Sequence, residues 1–181
     1  MSKHHHSHPY ELQVDGQKLS VEYTPAEATT SVYGGNSNWR GPIWMPMNFL
    51  IIESLQRFHE YYTDDFKVEF PTNSGQYLTL NEIADEISKR LSNIFLRDEN
   101  GRRAVFGDNE KMQHDPDFNN YILFCEYFHG DTGKGLGASH QTGWTGLIAN
   151  LLQSRTKQNI KATKHDKVSF QTEVNLTHEV I

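Results

Sequence analysis

Apolar and polar residues alternate from Glu11 to Tyr23: Leu12 and Val14, then Leu19, Val21 and Tyr23, with Asp15-Gly16 between the two runs. Period two on either side of Asp-Gly predicts a β-hairpin, because a two-residue turn needs the positive φ angles these residues tolerate. The period changes near Ile43. Met47, Leu50, Ile51, Leu55, Phe58 and Tyr62 recur at helical spacing, which predicts a helix from Pro42 to about Tyr62. Pro42 suits a first turn, where its missing N–H costs nothing, and Pro46 is still early enough to be tolerated. A second helical stretch runs from Thr79 to about Leu96. Leu80, Ile83, Ala84, Ile87, Leu91, Ile94 and Phe95 share one face, and Asp85, Glu86, Lys89 and Arg90 the other. Thr79 and Glu82 have the spacing of a capping box. A third helix is expected from about Trp144 to Arg155, with Leu147, Ile148, Leu151 and Leu152 inward and Thr142 as N-cap.

The intervening segments are polar. Thr24 to Ser31, Thr63 to Leu78 and Arg97 to Asn120 are expected to be loops, the last of them long and solvated. Thr156 to Lys167 reads as a polar linker. Val168, Phe170, Thr172, Val174 and Leu176 alternate and suggest a short strand. The pattern as a whole is mainly α, with a β-hairpin near the N-terminus and long loops. Residues 1–155 make the main unit, and 156–181 form a polar tail.

Composition narrows the function. A chain of 181 residues is enough for one domain of ordinary size. A net charge of −6 argues against nucleic acid, which usually needs a basic stripe. No apolar run approaches the roughly 20 residues of a membrane span, and Met1 to Pro9 is too polar for a signal peptide. Aromatic residues make up 12% of the chain, which suits either sugar recognition or a core of large side chains. The single cysteine, Cys125, excludes an internal disulfide. It follows an apolar run, as small buried cysteines do. His4, His5, His6 and His8 lack a carboxylate or cysteine among them to complete a metal site. Asp98, Glu99, Asp108, Glu110, Asp115 and Asp117 do not have the spacing of a calcium loop.

The candidate chemistry gathers in two stretches. In Tyr121 to Leu152, Glu126 leaves the apolar run Ile122-Leu123-Phe124 just before Tyr127-Phe128. A loop with Gly130, Gly133, Gly135 and Gly137 follows, then His140, Gln141 and Trp144 at the start of a helix. A carboxylate leaving an apolar segment among aromatics has a setting that tunes its acidity. In Gly34 to Leu55, Trp39, Arg40 and Trp44 stand before a helix. Taken alone, these side chains could pack and pair internally, or could present a stacking wall and a guanidinium fork to a sugar. Thr142 and Thr145 read as capping and packing residues.

These two stretches, in this order, resemble glycoside hydrolase family 63, the processing α-glucosidases and their microbial relatives. The likeness covers about Ser2 to Leu152. It implies that the chain is the C-terminal part of an (α/α)6 toroid. It also implies inverting hydrolysis of α-glucosides or related α-linked sugars. Glu126 would be the general base, with Trp39, Arg40, Trp44, Tyr127, His140, Gln141 and Trp144 around the sugar. The substrate would be an oligosaccharide or small glycoside, and no cofactor is implied. The family's general acid is an aspartate upstream of everything here; Glu53 and Asp131 are not candidates for it. The chain alone is therefore expected to be inactive and marginally stable, its partner being the preceding part of the same domain. The competing expectation is a non-catalytic carbohydrate-binding or vestigial module.

Overall fold

A computed structural model describes residues 3–23, 26 and 41–153. Trp39, Arg40, most of the segment after Tyr23 and the tail with its expected strand lie outside the described residues. Asp15 and Gly16 both take positive φ, 50° and 78°. They join β1 (Tyr10–Val14) to β2 (Gln17–Val21), paired antiparallel from Tyr10↔Val21 to Val14↔Gln17. The register is the one the alternation predicts. The hairpin nonetheless buries little, and its apolar residues Leu12, Val14 and Leu19 are exposed.

Helix α1 (Met45–Tyr62) begins three residues later than its periodicity predicts. Pro46 is the reason. A helix opening at Pro42 would require Pro46 to donate an N–H to the Pro42 carbonyl, and proline has none to give. Starting at Met45 places Pro46 in the first turn. Ile43 is released to form an antiparallel bridge with Phe128, with both N–H···O contacts made, at 2.8 and 2.9 Å. The apolar residues of α1 do not all face inward. Met45 and Ile52 are buried, whereas Met47, Leu50, Ile51, Phe58 and Tyr62 are exposed.

The segment Thr63 to Leu78, expected to be loop, contains a short antiparallel pair. Strand β3 (Lys67–Glu69) faces β4 (Tyr77–Thr79), with Val68 opposite Leu78. Three residues a side are too few for alternation to stand out in the sequence. Strand β4 leads directly into α2 (Leu80–Asn93). Its capping box is complete: the Glu82 N–H donates to Thr79 Oγ1 at 3.2 Å, and the Thr79 N–H donates to the Glu82 carboxylate at 2.8 Å. Helix α2 ends short of the expected Leu96. Its last carbonyls are taken up by turns, and the Phe95 carbonyl accepts from the Arg103 guanidinium.

Arg97 to Asn120 is not simply a solvated loop. A 3-10 turn at Ala104–Phe106 drives Val105 and Phe106 into the core. A short helix, α3 (Glu110–His114), follows. It buries Gln113, whose amide receives the Arg103 N–H and donates to the Arg103 and Gly107 carbonyls. A polar sequence thus hides a core anchor, because one glutamine satisfies three backbone groups. Asp108, Glu110 and Asp117 around it remain exposed, and Asp115 is half-buried.

The last elements are β5 (Tyr127–Phe128), β6 (Gly135–Leu136), α4 (Thr142–Thr145) and a helical stretch over 148–153. The expected third helix is therefore broken at Gly146 and Leu147, and Thr142 is its first residue rather than its cap. The cap position is Gln141, with no side-chain capping bond. One core joins these pieces: Met45, Ile52, Ala84, Leu91, Ile94, Phe95, Val105, Phe106, Cys125, Phe128, Ile148 and Leu151. The fold is mainly α with small two-stranded sheets. Among the described residues no helix is long and apolar enough to cross a membrane.

Candidate active site

Glu126 sits where the β5–β6 pair loses its register. Tyr127 faces Leu136, and the next pairing inward would oppose Glu126 to Gly137. Instead the Glu126 N–H donates to the Ala138 carbonyl at 2.9 Å, leaving Gly137 as an extra residue. Gly137 has φ +68°, the left-handed conformation a bulge of this kind asks of glycine. The bulge turns the Ala138 N–H toward the Glu126 carboxylate, and it donates to Oε2 at 3.0 Å. Among the described residues Oε1 has no hydrogen-bond partner. A side chain at 137 has no room, since its Cβ would stand 2.5 Å from the Tyr127 ring and 2.6 Å from Glu126 Oε2.

The segment before Glu126 is held as firmly. The Gln141 N–H donates to the Phe124 carbonyl at 2.6 Å. Thr145, fully buried, donates its hydroxyl to the Cys125 carbonyl at 2.5 Å. The start of α4 and the glycine bulge therefore grip three consecutive backbone positions, 124 to 126. Burial pushes the Cys125 thiol up, which fits a packing residue and not a nucleophile.

Tyr127, the residue after Glu126, belongs to an aromatic layer. Trp44 stacks on Tyr127 with ring centroids 4.5 Å apart, and Trp144 meets Trp44 edge-on at 6.4 Å. Trp44 and Tyr127 are buried, while Trp144 is partly accessible. His140 and Gln141 are exposed at the rim, the His140 ring lying over Phe124 at 6.0 Å.

The glycine loop closes the other side. His129 Nδ1 accepts from the Asp131 and Thr132 N–H groups at 3.1 and 3.3 Å, so its remaining proton is on Nε2. Gly130 packs so closely on the Gly41 carbonyl that a Cβ would collide with it. Tyr23 donates to Asp131 at 3.3 Å, and its phenol is pushed up by burial first and the Asp131 charge second. A groove of about 530 Å³ beside this loop is lined by Ile43, Ile51, Phe70, Ile94 and Gly130 to Gly133. Glu126 is not among its lining residues.

The geometry is thus a positioned carboxylate next in the chain to a residue of a packed aromatic layer. Residues 24–95 match the family model described as the glycosyl hydrolase family 63 C-terminal domain. Residues 24–95 thus carry the family 63 likeness of this chain. An uncharacterized protein of Saccharomyces cerevisiae is 55% identical over 154 residues, 84% of this chain and 14% of that protein. The mannosyl-oligosaccharide glucosidase of the same yeast is 27% identical over 147 residues, 78% of this chain and 14% of its own length. A probable mannosyl-oligosaccharide glucosidase of Schizosaccharomyces pombe is 28% identical over 118 residues, 65% of this chain and 11% of its own. The chain spans a small part, at most 14%, of these relatives. No solved structure matches it.

The family match includes Trp44 and both long helices, whereas Glu126 lies beyond its end. Of the residues expected around a sugar, the structure brings Trp44, Tyr127 and Trp144 into one layer and leaves His140 and Gln141 at its edge. Sequence reasoning missed Ala138, because a backbone donor leaves no trace in side-chain chemistry. It also missed the reach of Thr145 to residue 125. Only the glycine at 137 signalled that the chain must come close to something there.

Proposed function

We propose that this chain supplies the general base and part of the sugar subsite of an inverting α-glycosidase acting on α-glucosides or related α-linked sugars. The observation that carries the reading is the state of the Glu126 carboxylate. One oxygen is fixed by the Ala138 N–H, and among the described residues the other has no hydrogen-bond partner, which suits it to accept a proton from water. A base must be held in one orientation yet keep a lone pair open toward the water it activates. In an inverting hydrolase the paired acid stands roughly 6.5–9.5 Å away, leaving room for that water. In this reading the acid comes from another part of the same domain, and residues 1–155 form the end of an (α/α)6 toroid. The exposed apolar stripe on α1 supports further helices packing there, since a helix apolar on two sides is normally covered on both. Trp144, His140 and Gln141 form the accessible rim against which a sugar would lie. The glucosidase names of the two low-identity relatives favour a glucose-bearing oligosaccharide.

The test is Glu126→Gln in the longest polypeptide that carries this chain, assayed for glucose release from an α-glucosyl oligosaccharide. The amide keeps size and one hydrogen bond but cannot take the proton. Turnover is expected to fall by about 10²–10⁴-fold with substrate binding retained. Wild-type turnover in the variant would overturn the base assignment. Proton NMR of the first product decides the stereochemistry: β-glucose supports inversion, and α-glucose defeats it. Binding without hydrolysis in the unaltered protein would favour a carbohydrate-binding module instead.

A further inference from the structure

We infer that Thr145 is a positioning residue for Glu126, acting through the Cys125 carbonyl. This deepens the base reading above and rests on it for its catalytic consequence. Thr145 is wholly buried, an unusual place for a hydroxyl unless it is satisfied. Its hydroxyl donates to a carbonyl 20 positions back along the chain, that of the residue just before Glu126. Packing alone would be served by valine, which has the same shape and no hydroxyl. The bond ties the peptide plane between Cys125 and Glu126 to α4, and that plane sets the direction in which the Glu126 side chain leaves the backbone.

The opposite side of the residue is fixed by other means. Gly137 gives way so that Ala138 can bond both the Glu126 N–H and its carboxylate. Glu126 therefore hangs between two anchors, the bulge and the threonine. Releasing the threonine frees one rotation and leaves the Cys125 carbonyl buried without its donor, and the carboxylate swings relative to the Ala138 N–H. A base displaced by a fraction of an ångström still binds substrate but meets the water badly.

The experiment compares Thr145→Val, which keeps shape and loses the hydroxyl, with Thr145→Ser, which keeps the hydroxyl. The first readout is the Ala138 amide resonance, which reports the bond to the carboxylate whether or not the protein turns over. In Thr145→Val it is expected to shift in the direction that Glu126→Ala shifts it; in Thr145→Ser it is expected to stay near the wild-type position. The second readout is kinetic: kcat for the α-glucosyl oligosaccharide is expected to drop about 10–100-fold in Thr145→Val with KM nearly unchanged, and to recover in Thr145→Ser. A Thr145→Val protein that melts lower but keeps the wild-type Ala138 resonance overturns the inference and makes Thr145 a packing residue. Should Glu126→Gln leave turnover intact, the base reading fails on its own account, and the amide resonance alone decides whether Thr145 positions the carboxylate.

Discussion

The two long helices differ in what their outer faces carry. Helix α2 buries Leu80, Ile83, Ala84, Leu91 and, just past its end, Ile94, and turns Lys89 and Arg90 to water. Arg90 pairs with Glu86 at 2.9 Å and lies over the Phe70 ring. Helix α1 buries Met45 and Ile52 against α2, and turns a second apolar stripe outward: Met47, Leu50, Ile51, Phe58 and Tyr61. The first arrangement is that of a helix with one neighbour and solvent. The second is the arrangement expected, under the toroid proposed above, of a helix with two neighbours. The lesson is that helical periodicity identifies a helix but not the number of faces it must cover. The polar half of the pattern has to be read as closely as the apolar half.

The sharpest test of α2 is its inner face. Leu91→Ala removes a side chain that is 4% exposed and central to the shared core. It is expected to cost about 2–5 kcal/mol by denaturant unfolding, while Lys89→Ala on the outer face stays within about 0.5 kcal/mol. Equal effects at the two positions would break the one-faced description.

A smaller effect is expected at the start of the same helix. Thr79→Ala deletes the cap and should cost about 1 kcal/mol. The box also carries a pH dependence. Hydrogen bonds from Thr79, the backbone N–H first and the hydroxyl next, hold the Glu82 carboxyl below the usual carboxylate range. A depressed folded-state pKa means that Glu82 contributes its stability above the unfolded carboxylate range. That contribution is lost as pH falls through the folded value. The stability difference between wild type and Glu82→Gln should therefore shrink as pH falls from neutral to below the usual carboxylate range. A difference that stays constant across that range would show that the box acts without the charge.

How far these features were legible in the sequence follows from how local they are. The capping box and the Asp15-Gly16 hairpin are set by residues within four positions of one another, and both were readable. The start of α1 was misplaced because the rule that Pro42 opens a helix competes with the rule that Pro46 cannot sit inside one. The second rule wins sterically. The core role of Val105 and Phe106 was hidden inside a polar stretch, since burial there depends on Gln113 satisfying the surrounding backbone. In the candidate site, the carboxylate and its aromatics were visible by type and by family likeness. The grip on Glu126 was not, because it runs through backbone groups of residues 138 and 141 and through a hydroxyl 20 positions away. Trp44 and Tyr127, expected at a sugar-binding surface, lie buried, a distinction that composition and spacing do not encode.

The outer stripe of α1 gives the smallest effect on this chain and the one that separates the two helices most clearly. Leu50 and Phe58 are 59% and 56% exposed, so neither loses much contact on becoming polar. Leu50→Gln combined with Phe58→Gln is expected to change the unfolding free energy of this chain by no more than about 0.5 kcal/mol. The same pair should reduce concentration-dependent self-association in sedimentation, because contiguous exposed apolar surface is what drives it. In the longer polypeptide, where the proposed toroid would cover this stripe, the pair should instead destabilise by about 2 kcal/mol or more. Near-neutral behaviour in both settings would mean that α1 faces water in the whole domain, and the second neighbour would have to be abandoned. A large loss in this chain alone would mean that the stripe already has its partner here, and α1 and α2 would then be helices of the same kind.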